Sequence, residues 1–264
     1  MHITSRDNSL LRQARAVRDG KDDELIFVEG LRLCVEALRS NLELAAVIAS
    51  EELIRKPQAS EAFAELSKTA RRVATVSEKL LESISYTKTP QGIVVLARRP
   101  EASQERLEAG LKNNALLVVL HQINNPVNVG AILRTAEAAG ATGIITTKNT
   151  SDPFSPKSLR GAMGSAFRLR VWRDAVFEEV VGWCRKRGIK LVATDAASNL
   201  KHTDWDWTRA SALLLGPEST GLTSAELKDT DGTIGIPMHG EVESLNVSVA
   251  AGIILYEAAR QRAS

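Results

Sequence analysis

Cysteine is nearly absent from this chain of 264 residues: only Cys34 and Cys184 occur, far apart. No disulfide framework can be built from them, and the pattern suits a reducing compartment. Four histidines (His2, His121, His202 and His239) fall in no zinc-ligand spacing, so no metal is expected. No apolar run reaches the length of a membrane span, and Met1-His-Ile-Thr-Ser-Arg-Asp7 has no signal-peptide core. Basic and acidic residues nearly balance, 34 Lys/Arg against 32 Asp/Glu. The net charge is +2, so no global field announces a nucleic-acid partner. No repeat recurs at a solenoid period. What remains is a soluble globular composition, 44% apolar and 25% charged, long enough for one large or two ordinary domains.

Charge is uneven locally. Pro156 to Lys190 carries nine Lys/Arg against three Asp/Glu, which fits either a phosphate-facing surface or solvated helix faces. The first hundred residues alternate between strand and helix patterns. Strands are expected at Leu25–Val28, Ala45–Ala49, Arg72–Val76 and Ile93–Ala97, with helices at about Thr4–Arg18, Leu31–Arg39, Ser60–Lys68 and Ser77–Ser83. That is a small α/β sandwich over residues 1–98. Residues 99–114 are polar and contain Pro100 and Gly110, as a linker does.

Residues 115–264 begin a second α/β series. Leu116–Leu120 and Ala212–Leu215 are continuous apolar runs, the pattern of buried parallel strands. Gly143–Thr146, Lys190–Thr194 and Thr233–Pro237 are further strands. Helices are expected at Val127–Ala139, from Ser155-Pro156, at Asp174–Arg187 and after the capping box Thr223-Ser-Ala-Glu226. A last helix from Ser244 to Arg260 is apolar or small on nearly every side, with Ser244 placed to cap it.

Three stretches gather unusual polar groups at strand-to-helix junctions, where open α/β sheets bind ligands. The first is Asn124-Asn-Pro-Val-Asn-Val-Gly-Ala-Ile-Leu-Arg134. Alone, Asn128 and Arg134 fit a capping asparagine and a surface arginine as well as a phosphate clamp. The second is Leu215-Gly-Pro-Glu-Ser-Thr-Gly-Leu222, a glycine turn that is not the phosphate-cradling loop, since Leu222-Thr223 replaces Lys-[Ser/Thr]. The third is Ile236-Pro-Met-His-Gly-Glu-Val-Glu-Ser-Leu-Asn-Val-Ser-Val-Ala-Ala251. Glu243, Ser244 and Asn246 crowd the start of its helix, where polar groups need partners or a task.

In order, spacing and context, the three resemble the signature motifs of the SpoU (TrmH-like) RNA 2′-O-ribose methyltransferases of the SPOUT superfamily. The first hundred residues resemble that family's L30e-like substrate-binding domain, at Phe27-Val-Glu-Gly30 and Pro90-Gln-Gly-Ile93. Gly161-Ala-Met-Gly-Ser-Ala-Phe167 resembles the family's small-residue segment, which usually has a serine near the position of Gly161.

The resemblance implies an α/β fold whose C-terminal domain holds a deep trefoil knot around a mostly parallel sheet. It implies S-adenosyl-L-methionine as cofactor and a homodimer in which two subunits build each site. Leu215, Gly216, Gly221, Ile236, Met238, Ser244 and Leu245 would hold the cofactor. Asn128, Arg134, Glu218, Ser244 and Asn246 would be catalytic, with Arg134 either activating the 2′-hydroxyl or clamping its phosphate. Arg6, Arg12, Arg160 and Arg168 are the candidate RNA contacts. The expected enzyme is cytoplasmic and acts on ribosomal RNA. Transfer RNA, or RNA binding without catalysis, are the alternatives.

Overall fold

A computed structural model describes residues 1–263. In chain order the elements are β1 (His2–Ile3), α1 (Ser9–Arg18), β2 (Leu25–Glu29), α2 (Leu31–Arg39), β3 (Leu44–Ser50), α3 (Glu51–Ile54), α4 (Pro57–Thr69), β4 (Val73–Val76), α5 (Glu78–Ile84) and β5 (Ile93–Arg98). There follow α6 (Gln104–Glu108), β6 (Leu116–Leu120), α7 (Pro126–Ala138), β7 (Gly143–Thr147), α8 (Pro156–Ala162), α9 (Ser165–Arg168), β8 (Arg170–Ala175) and α10 (Phe177–Arg187). The chain closes with β9 (Lys190–Thr194), β10 (Ser211–Leu215), α11 (Ser224–Lys228), β11 (Gly232–Ile234) and α12 (Val247–Arg262).

Two compact units result. The first holds Met1–Pro100 and Phe154–Arg168; the second holds Glu101–Pro153 and the chain from Leu169 onward. The 154–168 segment, expected with the second α/β series, therefore lies in the first unit.

In the first unit the sheet order is β1-β4-β3-β5-β2, with β5 antiparallel to both β2 and β3. Leu10, Leu11, Phe27, Ile48, Leu81 and Leu96 fill its core. The two stretches that resemble the L30e-like domain lie together. Gly30 N–H donates to Ile93 O at 3.1 Å. The buried Glu29 carboxylate accepts from the backbone of Tyr86 and from the Thr87 hydroxyl.

In the second unit six parallel strands run in the order β11-β9-β10-β6-β7-β8. The continuous apolar runs β6 and β10 are central neighbours and fully buried, as runs of that kind require. From β6 the chain adds β7 and β8 on one side, then fills the other side with β9, β10 and β11. This reversal puts the ligand crevice at the carboxyl ends of the strands.

Several sequence expectations need correction here. Arg170–Ala175 is an edge strand, and α10 begins only at Phe177. Its basic composition hid it: Val171, Trp172 and Ala175 are buried, but Arg170, Arg173 and Asp174 break the apolar run. The basic stretch 156–190 is no single surface. It divides between the two units, and Arg168, Arg185, Arg187 and Lys190 pair with Glu36, Asp229, Glu108 and Asp231.

The polar stretch 99–114 also contains a helix, α6, whose Leu107 is buried in the second core. Glu108 at its end accepts from Gln104, Trp183 and Arg187, and these donors pull its carboxyl from the ordinary 4.5 down to about 2. A carboxyl depressed by folding stabilises above pH 4.5, and that contribution is lost as pH falls toward 2. Glu108→Gln is therefore expected to lower the melting temperature at pH 7. The deficit should shrink between pH 4.5 and 2 in a thermal-melt series; a deficit independent of pH would contradict the assignment.

Candidate active site

The loops that leave β9, β10 and β11 line one cleft of about 600 Å³, within the usual range for small-molecule sites. Thr194, Asp195 and Ala196 come from the end of β9. The turn after β10 supplies Gly216, Pro217, Glu218, Thr220, Gly221 and Leu222. The segment after β11 supplies Gly235, Ile236, Met238 and then Glu243 to Val247. The wall includes the apolar Ile234, Ile236, Leu222 and Leu245 and the acidic Asp195, Glu218 and Glu243.

Backbone polar groups are unusually free here. From Ile236 to Leu245 no backbone N–H or C=O makes a hydrogen bond to another described residue. Ten consecutive residues of such backbone must be met by water, a ligand or another chain. Gly216 allows the turn after β10 to fold tightly, because a Cβ there would sit 2.6 Å from Leu222 Cγ.

The first motif joins the third through one contact. Asn246 Nδ2 donates to Asn128 Oδ1 at 3.3 Å. Asn128 is 5% exposed, and its own Nδ2 is buried with no partner among the described residues. An unmet buried amide is costly unless something completes it, so a ligand or an ordered water is called for.

Asn246 also caps α12, and this corrects the sequence reading. Its Oδ1 accepts from Ser248 N–H at 2.9 Å, and the helix starts at Val247 rather than at Ser244. Ser244 lies in the exposed loop and is left free to face the cleft. Asn246→Ala is expected to cost about 1 kcal/mol of stability through the lost cap, while Ser244→Ala leaves stability unchanged. Urea unfolding of the two variants checks this, and equal losses would restore Ser244 as the cap.

Comparison with known proteins meets this geometry. Residues 115–256 match the SpoU rRNA Methylase family. The chain belongs to this family. Residues 27–103 match a family described as RNA 2′-O ribose methyltransferase substrate binding. The 23S rRNA (uridine(2479)-2′-O)-methyltransferase of Streptomyces viridochromogenes is 35% identical over 207 residues, 76% of this chain and 71% of its own length. The 23S rRNA (guanosine(2553)-2′-O)-methyltransferase RlmP of Bacillus subtilis (strain 168) is 31% identical over 230 residues, 87% of this chain and 86% of its own. The solved SpoU methyltransferase AviRb of Streptomyces viridochromogenes, in complex with the cofactor AdoMet, has a TM-score of 0.87 at 30% identity and covers 97% of this chain and 99% of that one.

Of the residues assigned from the SpoU motifs, Gly216, Gly221, Ile236, Met238, Ser244 and Leu245 all line the cleft, as do Glu218 and Asn246. Leu215 does not; it is buried at the end of β10 and accepts from His121 N–H. Asn128 reaches the site through Asn246. Arg134 is not on the cleft wall. Six positions turn a helix through 600°, so Asn128 and Arg134 point to different sides of α7, one buried and one exposed. The SpoU motifs also missed residues. Thr194 to Ala196 line the cleft only because β9 lies beside β10, which no local pattern announces.

On the first unit, Arg6, Arg12 and Arg160 are exposed. Arg168 instead pairs with Glu36 at 2.7 Å, which weakens its case as an RNA contact.

Proposed function

We propose that this SpoU enzyme methylates the 2′-oxygen of a ribose in ribosomal RNA, and that it does so as a homodimer. The observation that carries the reading is the convergence of the second and third motif loops on one parallel-sheet crevice, to which the first motif is joined by the bond between Asn246 and Asn128. The chain is an S-adenosylmethionine-dependent RNA (ribose-2′-O)-methyltransferase. Ribosomal RNA is preferred as substrate because relatives named for 23S rRNA span both units of the chain.

The cleft fits this cofactor. Its volume is right, Ile236 and Leu245 offer apolar surface to an adenine, and the unpaired backbone from Ile236 to Leu245 offers donors and acceptors to polar edges. Gly216, Gly221, Ile236, Met238, Ser244 and Leu245 would hold it. When bound, it supplies a methyl group on a sulfonium, which needs no metal to be transferred. Among the described residues no cluster of His, Cys, Asp and Glu could hold one. The residues then have two tasks: aligning the ribose and taking the hydroxyl proton into account. Glu218, Ser244 and Asn246 orient the ribose. Arg134 clamps the neighbouring phosphate with its planar fork, and that phosphate assists loss of the proton.

The dimer reading rests on α12. Val249, Ile253 and Tyr256 follow at spacings of four and three, so they form one stripe, and they are 50%, 38% and 56% exposed. A helix apolar or small on nearly every side is expected to be buried on most faces; within one chain this side is bare. Val127 on the adjoining α7 is exposed as well. A second copy would cover this apolar face and complete each site from two chains. Ile253→Asp is expected to give a monomer in sedimentation equilibrium, with methyl transfer lost; an active monomer would refute the proposal.

The C-terminal knot belongs to the same reading. Residues 198–202 are bound to 233–235 by Gly235 N–H to Leu200 O at 2.8 Å and His202 N–H to Gly235 O at 2.9 Å. Further along the same loop, Trp207 N–H donates to Gln261 of α12. The knot itself rests on membership of the SpoU family. The first unit, with Arg6, Arg12 and Arg160, would bind structured RNA. Two free, buried cysteines accord with work in the cytoplasm, and among the described residues no helix is long and apolar enough to cross a membrane.

Labelled S-adenosylmethionine offered with ribosomal and transfer RNA, followed by mapping of 2′-O-methyl sites in cells with and without the gene, tests the substrate. Loss of a transfer-RNA mark with ribosomal marks intact would overturn the preference.

A further inference from the structure

The geometry points to His121 as a positioning residue that fastens both ends of the loop Gly216–Leu222 and thereby sets the shape of the cofactor cleft. The inference rests on the reading of that cleft as the S-adenosylmethionine site.

His121 follows β6 and is 3% exposed. Its backbone N–H donates to Leu215 O at 2.9 Å, directly before the loop. Its Nε2 lies 3.0 Å from Glu226 Oε1. The other oxygen of Glu226 accepts from Thr223 N–H at 2.7 Å, directly after the loop. One residue thus ties down residue 215 with its backbone and residue 223 through a carboxylate. Between these anchors the loop makes a single backbone hydrogen bond of its own, Gly221 N–H to Pro217 O at 3.0 Å. Its shape therefore depends on where its ends are held.

The ring itself is fixed on every side. Its Nδ1 lies 3.0 Å from Thr147 Oγ1 at the end of β7, and the ring packs on Phe177 of α10 with centroids 4.7 Å apart. Burial alone would raise the Glu226 carboxyl, but hydrogen bonds from the Thr223 backbone, the Thr223 side chain and His121 outweigh it and hold it below the usual range. An ionised carboxylate only accepts, so His121 Nε2 carries a proton in this bond. A bond to a charged acceptor at a half-buried site is strong enough to fix a loop. The clasp also links two motifs, since the chain runs from His121 through Gln122, with φ at +55°, straight into the segment that bears Asn128.

The test uses the full chain and its dimer. Calorimetry with S-adenosylmethionine, hydrogen exchange of the 216–223 amides and single-turnover transfer at saturating cofactor are measured for His121→Ala, Glu226→Ala, His121→Gln and the double alanine variant. Each single alanine variant is expected to weaken cofactor binding about tenfold or more, the scale of one hydrogen bond to a charged group. Exchange in 216–223 should quicken, while transfer at saturation changes little. The double variant should bind no worse than either single one, since both break the same link. His121→Gln, which can still donate to Glu226, should recover part of the loss. Unchanged affinity in folded variants, or losses that add, would overturn the clasp. If His121→Ala does not fold, Glu226→Ala, on the partly exposed α11, decides alone. A parent protein that fails to bind S-adenosylmethionine would overturn the functional reading instead.

Discussion

Arg134→Ala is expected to leave a folded protein that binds S-adenosylmethionine normally yet transfers methyl groups about a hundredfold more slowly or worse, the scale of a positioned charge or proton-transfer group. The side chain is exposed on α7 and makes no hydrogen bond or ion pair with another described residue. Its removal therefore breaks nothing inside the chain, and the helix should tolerate alanine. Arg134 is also absent from the cleft proposed for the cofactor, so cofactor affinity should hold. What the variant loses is a planar fork with paired donors. Arg134→Lys should fail nearly as badly, because a point charge cannot make those paired bonds. Single-turnover transfer, calorimetry and melting on the same protein separate the outcomes. A variant keeping more than about a tenth of the parent rate would fall short of such a group and sink the assignment. Unfolding would instead make Arg134 structural.

The second large effect is expected at Gly216. A Cβ there would lie 2.6 Å from Leu222 Cγ, 2.9 Å from its Cδ2 and 3.3 Å from its backbone nitrogen. These are closer than packed carbon atoms approach, so something must move. Leu222 is the movable partner, for it is half-buried and shares the cleft wall with Gly216. Gly216→Val should push it into the space that the cofactor needs. Affinity for S-adenosylmethionine is expected to fall at least about tenfold, or roughly 1.4 kcal/mol. Folding should suffer less, since the strand before the turn is untouched. Binding within about threefold of the parent, less than half of that free-energy change, would show that the loop gives way without narrowing the site.

These two residues show how differently the site could be read in advance. Gly216 lies in a glycine turn after an apolar strand; alone that pattern reads as an ordinary turn, and only the three motifs together pointed to a ligand there. Arg134 is legible only as part of a motif. Its helix shows it exposed and away from the cleft, and only a second copy on the bare stripe Val249, Ile253 and Tyr256 would give it a site to serve. Ser244 marks a different limit. A serine before an apolar run is a sound cap by local rules, but Asn246 is also a good cap and has Asn128 beside it. The tertiary contact made the choice.

Local sequence was enough for the alternation of strands and helices, the burial of the apolar runs β6 and β10, the capping box at Thr223 and the three polar clusters after strands. All of these follow from interactions within a few residues: apolar periodicity, side chains reaching nearby amides, and glycine turns. The tertiary structure alone decided which distant pieces meet. It set β9 beside β10 and so brought Asp195 to the cleft, and it drew 154–168 into the first unit. It also hid the basic strand β8 at a sheet edge and closed His121 on Glu226 across 105 positions. Strand order and long-range hydrogen bonds depend on how whole layers pack, and a local pattern holds no record of that.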